Sequence, residues 1–137
     1  MGDRSAGEFP INNEGDITAV RRTIRDVAAS IGFGITDITC IVTATSELAR
    51  NTFNYAGSGV MKWRVLTDSG VVGIELLFED KGPGIANVDH AMQEGITTGL
   101  GLGIGLPGTK RLMDEMDIES KVGKGTTVTI RKWLPSR

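Results

Sequence analysis

Two polar side chains of one predicted helix are spaced for chemistry. Glu47 and Asn51 are four residues apart, so they project from the same face of a helix, one turn apart. A carboxylate can accept a proton or orient a nucleophile, and an amide oxygen can ligate a hard cation such as Mg²⁺. A solvated helical pair explains the same spacing without a function, so this pair alone leaves both interpretations open.

A second candidate group follows an apolar stretch, in the sequence DKGPGI over residues 80–85. The Asp80 carboxylate is a hydrogen-bond acceptor and could bind the exocyclic amine of a base. Gly82 and Gly84 carry no Cβ, so they would let the backbone approach a flat ligand closely. The same residues are good turn formers, and a plain turn is the alternative.

Glycine is concentrated in the second half of the chain. Of the 19 glycines, ten lie between Gly82 and Gly125, and the densest run is TTGLGLGIGLPG over residues 97–108. Backbone N–H groups of a glycine loop that opens a helix form an anion site suited to phosphates. The glycines of this run alternate with Leu and Ile, which favours a loop anchored in the core over a flexible linker. A later G-x-G-T sequence, ending at Thr126, is explained equally well by a bulged turn.

Two common phosphate-binding motifs overlap this run but lack their structural context. The spacing of Gly103, Gly105 and Gly108 fits the dinucleotide fingerprint, yet no apolar strand precedes it and no β-α-β unit surrounds it. Residues 103–110 also resemble a P-loop, but they end Gly-Thr-Lys rather than Gly-Lys-Thr or Gly-Lys-Ser. We therefore expect neither of these two sites.

Length and composition exclude several classes of protein. The 137 residues are 39% hydrophobic, which suits a single domain over residues 1–137 with a real core. A net charge of −2 argues against nonspecific nucleic-acid binding. No long apolar run or signal peptide is visible, so the sequence predicts a cytoplasmic protein without a membrane span. One Cys and one His exclude an internal disulfide and a zinc site.

Hydrophobic periodicity predicts the elements that must position these residues. Helices are expected over 17–31, from Thr36 to about Ala56 and from Pro107 to about Met116, and strands over 9–11, 59–68, 71–80, 117–122 and 126–133. Asp16 and Thr36 are the candidate N-caps, and residues 81–103 form a long loop of the kind that binds ligands. The order β-α-α-β-β-loop-α-β-β predicts an α+β two-layer sandwich, with helices packed on one face of a mixed, mostly antiparallel sheet.

Taken in order, the four motifs resemble those of one superfamily. Glu-x-x-x-Asn on a helix, Asp-x-Gly-x-Gly, a glycine-rich loop opening a helix and Gly-x-Gly-Thr form the ordered signature of the GHKL (Bergerat-fold) ATPases and kinases. The resemblance runs from about residue 10 to residue 133. Within the superfamily, the stretches at 46–51, 79–85, 99–114 and 132–134 are most similar to the RsbT-type serine/threonine switch kinases. The anti-sigma kinases are the next nearest group.

The resemblance implies a role for each matching residue. Glu47 would act as general base or orient the substrate hydroxyl, and Asn51 would ligate Mg²⁺. Asp80 would bind the adenine amine of ATP, directly and through a water shared with Thr126. The backbone floor of the adenine pocket and the phosphate loop with its lid would be formed by Gly82, Gly84, Thr97, Thr98, Gly101, Gly103 and Gly105.

The resemblance also implies an activity. It predicts an ATP-dependent protein serine/threonine kinase that acts as a partner switch in a bacterial stress-response (stressosome) module. The implied substrate is a STAS-domain antagonist, and the released kinase would activate a PP2C-type phosphatase. A STAS-domain scaffold protein is a further possible partner, whereas nucleic acid and membrane are not expected partners.

Two alternatives to this activity stay open. The first is an anti-sigma factor kinase, which would bind a sigma factor and phosphorylate its anti-anti-sigma factor. The second is an ATP-binding switch module without significant kinase activity. A self-phosphorylating histidine kinase is not expected, because the one histidine, His90, lies in the predicted loop rather than on a helix upstream of the nucleotide motifs.

Overall fold

The computed structural model describes residues 5–85 and 105–135. Within these ranges, strands and helices follow one another in the predicted order. The strands are β1 (Ala6–Ile11), β2 (Gly59–Asp68), β3 (Val71–Asp80), β4 (Glu115–Lys121) and β5 (Gly125–Trp133), and the helices are α1 (Glu14–Ile31), α2 (Ile35–Ala56) and α3 (Gly105–Leu112). The predicted loop over 81–103 lies outside the described residues from position 86 onward.

The described strands form one sheet in the order β1-β2-β3-β5-β4, and each neighbouring pair is antiparallel. β1 lies at an edge of the sheet, as expected for a strand that contains Pro10. β2 and β3 pair along their full length, from Gly59 opposite Asp80 to Asp68 opposite Val71. Both predicted bounds of this hairpin are confirmed, and Asp80 is the last residue of its second strand.

Alternation along the strands separates an inner from an outer face of the sheet. The inner side chains and the apolar stripes of the helices form one core. Its members from the sheet include Met61, Trp63, Ile74, Leu76, Phe78, Val128 and Ile130, and those from α1 and α2 include Ile17, Val20, Ile24, Ala28, Ile41, Ala44 and Leu48. The expected two-layer α+β sandwich is confirmed. Within the part of the chain that the structure describes, no helix is long and apolar enough to cross a membrane.

Helix α1 begins earlier than the sequence predicts. Its N-cap is Asn13 rather than Asp16, because the Asn13 side chain accepts the Asp16 N–H at 3.0 Å. The Asp16 carboxylate in turn accepts the N–H of Asn12, the residue before the N-cap, at 2.8 Å. Each side chain thus accepts a backbone N–H from the other side of the helix start, much as in a capping box. The predicted end of α1 is confirmed, since Gly32 adopts φ 110° there.

The start of α2 and the end of α3 also differ from prediction. The N-cap of α2 is Gly34, so Thr36 lies inside the first turn and makes no cap. α3 ends at Leu112 and does not reach Met116, because the Asp114 N–H donates to the Arg131 carbonyl of β5 at 3.0 Å. This contact draws the chain into the sheet, so β4 starts at Glu115.

The outer face of the sheet carries a ladder of charges across its central strands. Glu75 is 7% exposed, and its carboxylate accepts hydrogen bonds from Nε of Arg64 and Nε of Arg131, each at 2.7 Å. Arg131 also donates to Glu115 at 3.0 Å. The hydrogen bond from Arg64, together with that from Arg131, lowers the pKa of Glu75 against the opposing effect of burial.

Replacing Glu75 with glutamine is expected to lower the free energy of unfolding by about 1.5–3 kcal/mol at neutral pH, because two guanidinium groups lose a charged acceptor. The pKa of Glu75 in the folded protein lies below the ordinary value of 4.5. The ionised carboxylate therefore stabilises the folded state fully above that ordinary value. This stabilisation is lost as the pH falls through the folded pKa. Urea unfolding between pH 7 and pH 3 should therefore show the two proteins converging in acid.

The matched control for this substitution is Glu79→Gln on the same face. Glu79 lies 3.6 Å from Lys62, and both side chains are about half exposed. Loss of such an exposed pair is expected to cost less than about 1 kcal/mol. Equal losses for the two variants, or a Glu75→Gln loss that does not change with pH, would contradict the assignment.

Candidate functional site

Helix α2 holds the Glu47 carboxylate against the start of α3. Glu47 is 7% exposed, and its Oε1 accepts the N–H of Gly105, the first residue of α3, at 3.3 Å. Its Oε2 lies 3.9 Å from Nη1 of Arg50, one turn further along α2. The carboxylate therefore lies at a helix N-terminus, where unpaired N–H groups and the helix dipole favour negative charge.

Asn51 follows Glu47 by one turn of α2 and is partly exposed. Within residues 5–85 and 105–135, its side chain has no hydrogen-bond partner, and no three His, Cys, Asp or Glu side chains gather as a metal-binding group. An amide oxygen in this position has the chemistry of a single protein ligand for Mg²⁺, an ion that usually keeps several waters and binds phosphate oxygens.

Asp80 ends β3 and lies opposite Thr126 of β5. Its Oδ1 accepts two backbone N–H groups, from Gly82 at 2.8 Å and from Thr126 at 3.2 Å. Its Oδ2 accepts no hydrogen bond from the part of the chain that the structure describes. Two backbone donors thus fix the carboxylate, and the second oxygen is available to a donor on a ligand.

Ser120 is a member of this cluster that the sequence analysis missed. It lies on β4 opposite Thr126, and the two hydroxyl oxygens are 2.7 Å apart. Its Oγ also accepts the Ile85 N–H at 2.7 Å and lies 3.1 Å from the Gly125 carbonyl oxygen. The available signal was a hydroxyl at an inward position of a strand whose other inward residues are apolar.

The glycines near Asp80 allow segments of the chain itself to approach closely. A Cβ at Gly82 would lie 2.6 Å from the Cβ of Ala56 at the end of α2. Gly84 has φ +78°, and a Cβ there would overlap the Lys121 carbonyl of β4. These contacts give both glycines a packing role, while their predicted contact with adenine stays a prediction.

Replacing Gly84 with alanine is expected to destabilise the protein more than the same change at Gly123. Both glycines have φ +78°, but nothing lies within 4 Å of a Cβ at Gly123. Gly123→Ala therefore measures the strain of positive φ alone, about 1–2 kcal/mol. Gly84→Ala adds the overlap with Lys121 and should cost about 1–3 kcal/mol more. Urea unfolding measures both, and equal losses would contradict the close packing.

A cavity of about 610 Å³ adjoins this cluster at the ends of β3, β4 and β5. Its lining includes the inward-facing Asp80, Ser120 and Thr126, the outer-face residues Glu79, Glu119 and Thr127, and the lysines Lys81 and Lys124. The volume falls within the range of about 300–1,000 Å³ that is typical of small-molecule sites. This end of the sheet therefore has an open pocket next to the predicted base-binding residues, and the pocket extends to the outer face of the sheet.

The structure brings the predicted residues together in two groups that α2 connects. Asp80, Gly82 and Thr126 form the first group through hydrogen bonds. Glu47 and Gly105 form the second group. α2 carries Glu47 and, at its last residue, packs against Gly82. The predicted residues Thr97, Thr98, Gly101 and Gly103 lie outside the described residues.

Comparison with known proteins gives matches over nearly the whole chain. Residues 9–132 match the family described as the histidine kinase-like ATPase domain. The chain is 47% identical to the serine/threonine-protein kinase RsbT of Bacillus subtilis (strain 168) over 134 residues. This match covers 98% of this chain and 99% of that protein. It is 34% identical to the anti-sigma F factor of Geobacillus thermodenitrificans, over 93% of this chain and 90% of that protein.

Solved structures show the same fold at low sequence identity. The RsbU and RsbW domains of a Mycobacterium tuberculosis protein match with a TM-score of 0.59 and 22% identity, covering 96% of this chain and 34% of that chain. The SiaB–SiaC complex of Pseudomonas aeruginosa matches with a TM-score of 0.56 and 11% identity, covering 94% and 89%. The resemblance to GHKL kinases is confirmed. The chain belongs to the histidine kinase-like ATPase domain family, in its branch of RsbT-type serine/threonine-protein kinases.

Proposed function

We propose that this protein is an ATP- and Mg²⁺-dependent serine/threonine protein kinase that acts in the cytoplasm as a partner-switching regulator of a bacterial stress-response (stressosome) module. Its proposed substrate is a STAS-domain antagonist, and the released kinase activates a PP2C-type phosphatase. A STAS-domain scaffold protein is a further proposed partner. The proposal is supported by 47% identity to RsbT over 98% of the chain and by the ATPase-domain match.

The observation that carries the kinase proposal is the position of Glu47. Its nearly buried carboxylate lies at the N-terminus of α3, in contact with the Gly105 N–H. Helix N-termini favour phosphate oxygens, so a proton acceptor lies beside the place where a phosphoryl group would be held. Glu47 can take the proton of an acceptor serine or threonine hydroxyl, while positioning and charge neutralisation supply most of the remaining rate.

The described residues fit a bound nucleotide and its metal. The Asp80 Oδ2 suits an exocyclic amine, because among the described residues both backbone donors bond Oδ1. At the start of α3 the Gly105 N–H bonds Glu47 and Pro107 has no N–H, so the N–H groups of Leu106 and Gly108 are those that suit phosphate oxygens. The Asn51 amide oxygen suits Mg²⁺. ATP, when bound, supplies the phosphoryl group that is transferred. The protein orients it and accepts the proton that the hydroxyl loses.

The kinase proposal is tested by phosphoryl transfer to candidate partners. Purified protein is incubated with γ-labelled ATP, Mg²⁺ and STAS-domain proteins from the same organism. We expect label on a serine or threonine of one of them, and no label when Mg²⁺ is chelated. ATP binding without labelling of any partner would overturn the kinase proposal and favour an ATP-binding switch module.

The anti-sigma factor kinase is the second candidate. It is favoured by the 34% identity to an anti-sigma F factor over 93% of this chain. Affinity capture with the tagged protein, in the presence of ADP and of ATP, separates the two candidates. Recovery of a PP2C-type phosphatase supports the first candidate, whereas recovery of a sigma factor without a phosphatase supports the second.

A further inference from the structure

We propose that Ser120 is a positioning residue that sets the base specificity of the nucleotide site, because it holds the Thr126 hydroxyl as a hydrogen-bond acceptor. This inference deepens the proposed function and rests on its nucleotide-binding part. It starts from the three contacts of one hydroxyl group, the Ser120 Oγ, with Ile85, Gly125 and Thr126.

The hydrogen-bond capacity of Ser120 determines the direction of each contact. A serine hydroxyl has one donor and two acceptor lone pairs. The Ile85 N–H, at 2.7 Å, can only donate to it. The Gly125 carbonyl, at 3.1 Å, can only accept its proton. The contact of 2.7 Å with Thr126 Oγ1 is then donated by Thr126, and this assignment satisfies all three contacts at once.

The direction of the Thr126 bond decides what this end of the sheet can bind. Because Thr126 gives its proton to Ser120, its Oγ1 offers only lone pairs to a ligand. The neighbouring Asp80 carboxylate, held by the N–H groups of Gly82 and Thr126, is an acceptor as well. Two acceptors side by side require a ligand edge that donates.

The two types of purine differ at this edge. Adenine carries a 6-amino group, which donates, beside N1, which accepts. Hypoxanthine and guanine carry a 6-keto oxygen, which accepts, beside N1–H, which donates. A keto oxygen that faces Asp80 and Thr126 would leave these acceptors without a donor, and sites built around specific hydrogen bonds reject such analogues strongly. Without Ser120, the Thr126 hydroxyl would be free to turn and donate to a keto oxygen.

Ser120 also ties β4 to the turn at Ile85 and to β5, so a merely structural role must be distinguished from control of specificity. If Ser120 had a merely structural role, loss of its hydroxyl would lower the affinity for every purine nucleotide by the same factor. Control of the Thr126 proton predicts that the ratio of affinities for a 6-amino and a 6-keto nucleotide changes. This ratio is therefore the quantity to measure.

The experiment measures binding of ATP and ITP to the full chain by titration calorimetry with Mg²⁺. The two bases differ in the group at position 6 and, with it, in whether N1 accepts or donates a hydrogen bond. We expect Ser120→Ala to lower the preference for ATP over ITP at least about tenfold, a change typical of one altered hydrogen bond. Ser120→Thr retains the hydroxyl and should keep the preference of the unmodified protein. The control is Ser30→Ala, which removes a hydroxyl bonded to the Val27 carbonyl on α1 and should change nothing.

Equal weakening of ATP and ITP by Ser120→Ala, or an unchanged ratio, would overturn the inference. If Ser120→Ala does not fold, Thr126→Val carries the test, because it removes the acceptor itself. It should lower ATP affinity more than ITP affinity, and an unchanged ratio would again overturn the inference. If the protein bound ATP selectively but transferred no phosphoryl group, the kinase proposal alone would be wrong. If it bound no nucleotide at all, the kinase proposal and the role of Ser120 in base specificity would both be wrong.

Discussion

Replacing Asp80 with asparagine is expected to weaken ATP binding at least about 100-fold while leaving the fold intact. The asparagine Oδ1 can still accept the N–H groups of Gly82 and Thr126, which Asp80 holds at 2.8 and 3.2 Å. Its Nδ2 replaces the available carboxylate oxygen with a donor, which would face the donor amine of adenine. The substitution therefore changes the ligand-facing atom and little else.

Titration with a non-hydrolysable ATP analogue and thermal unfolding without nucleotide check this expectation together. The matched control is Asp68→Asn at the β2–β3 turn, where the carboxylate accepts an exposed hydrogen bond of 3.3 Å from the Ser69 hydroxyl. It should leave ATP binding unchanged. If the Asp80→Asn variant bound ATP as tightly as the unmodified protein, Asp80 would not belong to the base site. If the variant were much less stable to heat, the role of Asp80 would be structural.

Replacing Glu47 with glutamine is expected to leave ATP affinity within about threefold and to lower phosphoryl transfer by about 10²–10⁴-fold, the usual contribution of a general base. Glutamine keeps an oxygen that can accept the Gly105 N–H, now bonded to Glu47 at 3.3 Å. It cannot take the proton of the substrate hydroxyl. Labelling of the partner protein and nucleotide titration measure the two effects separately.

Two further variants sharpen the test of Glu47. Glu47→Ala should also spare ATP binding and lose transfer, but it leaves the Gly105 N–H without its acceptor and should lower stability in addition. Glu14→Gln, at an exposed position in the first turn of α1, is the control and should keep full transfer. If the Asp80 and Glu47 variants lost ATP binding equally, the division between base recognition and proton transfer would be wrong.

Local sequence signals predicted the elements well and their ends less well. The bounds of β2 and β3 follow from alternating apolar residues on both sides of a turn-forming Asp-Ser-Gly. The start of α1 was not decidable in this way, because Asn12, Asn13 and Asp16 are all good capping residues. The end of α3 depends on the contact of Asp114 with β5, which only the tertiary fold creates.

The same distinction holds for the site. Glu47 and Asp80 were predicted because each lies in a short motif whose spacing is visible along the chain. Ser120 and Glu75 were missed because their partners lie on neighbouring strands, and a cross-strand partner is known only once the strand register is known. Sequence therefore indicates candidate site residues better than the residues that contact them across neighbouring strands.

Helix α2 also has a consequence for how the length of related chains can vary. It carries Glu47 and, nine residues later, Ala56, which lies against Gly82; nine residues rise about 13.5 Å along a helix. One residue inserted between them would turn the later part of the helix by about 100° and carry Ala56 away from Gly82. An insertion at Ser69 would lengthen only an exposed turn. Related chains should therefore differ in length at this turn and keep this interval of α2 constant.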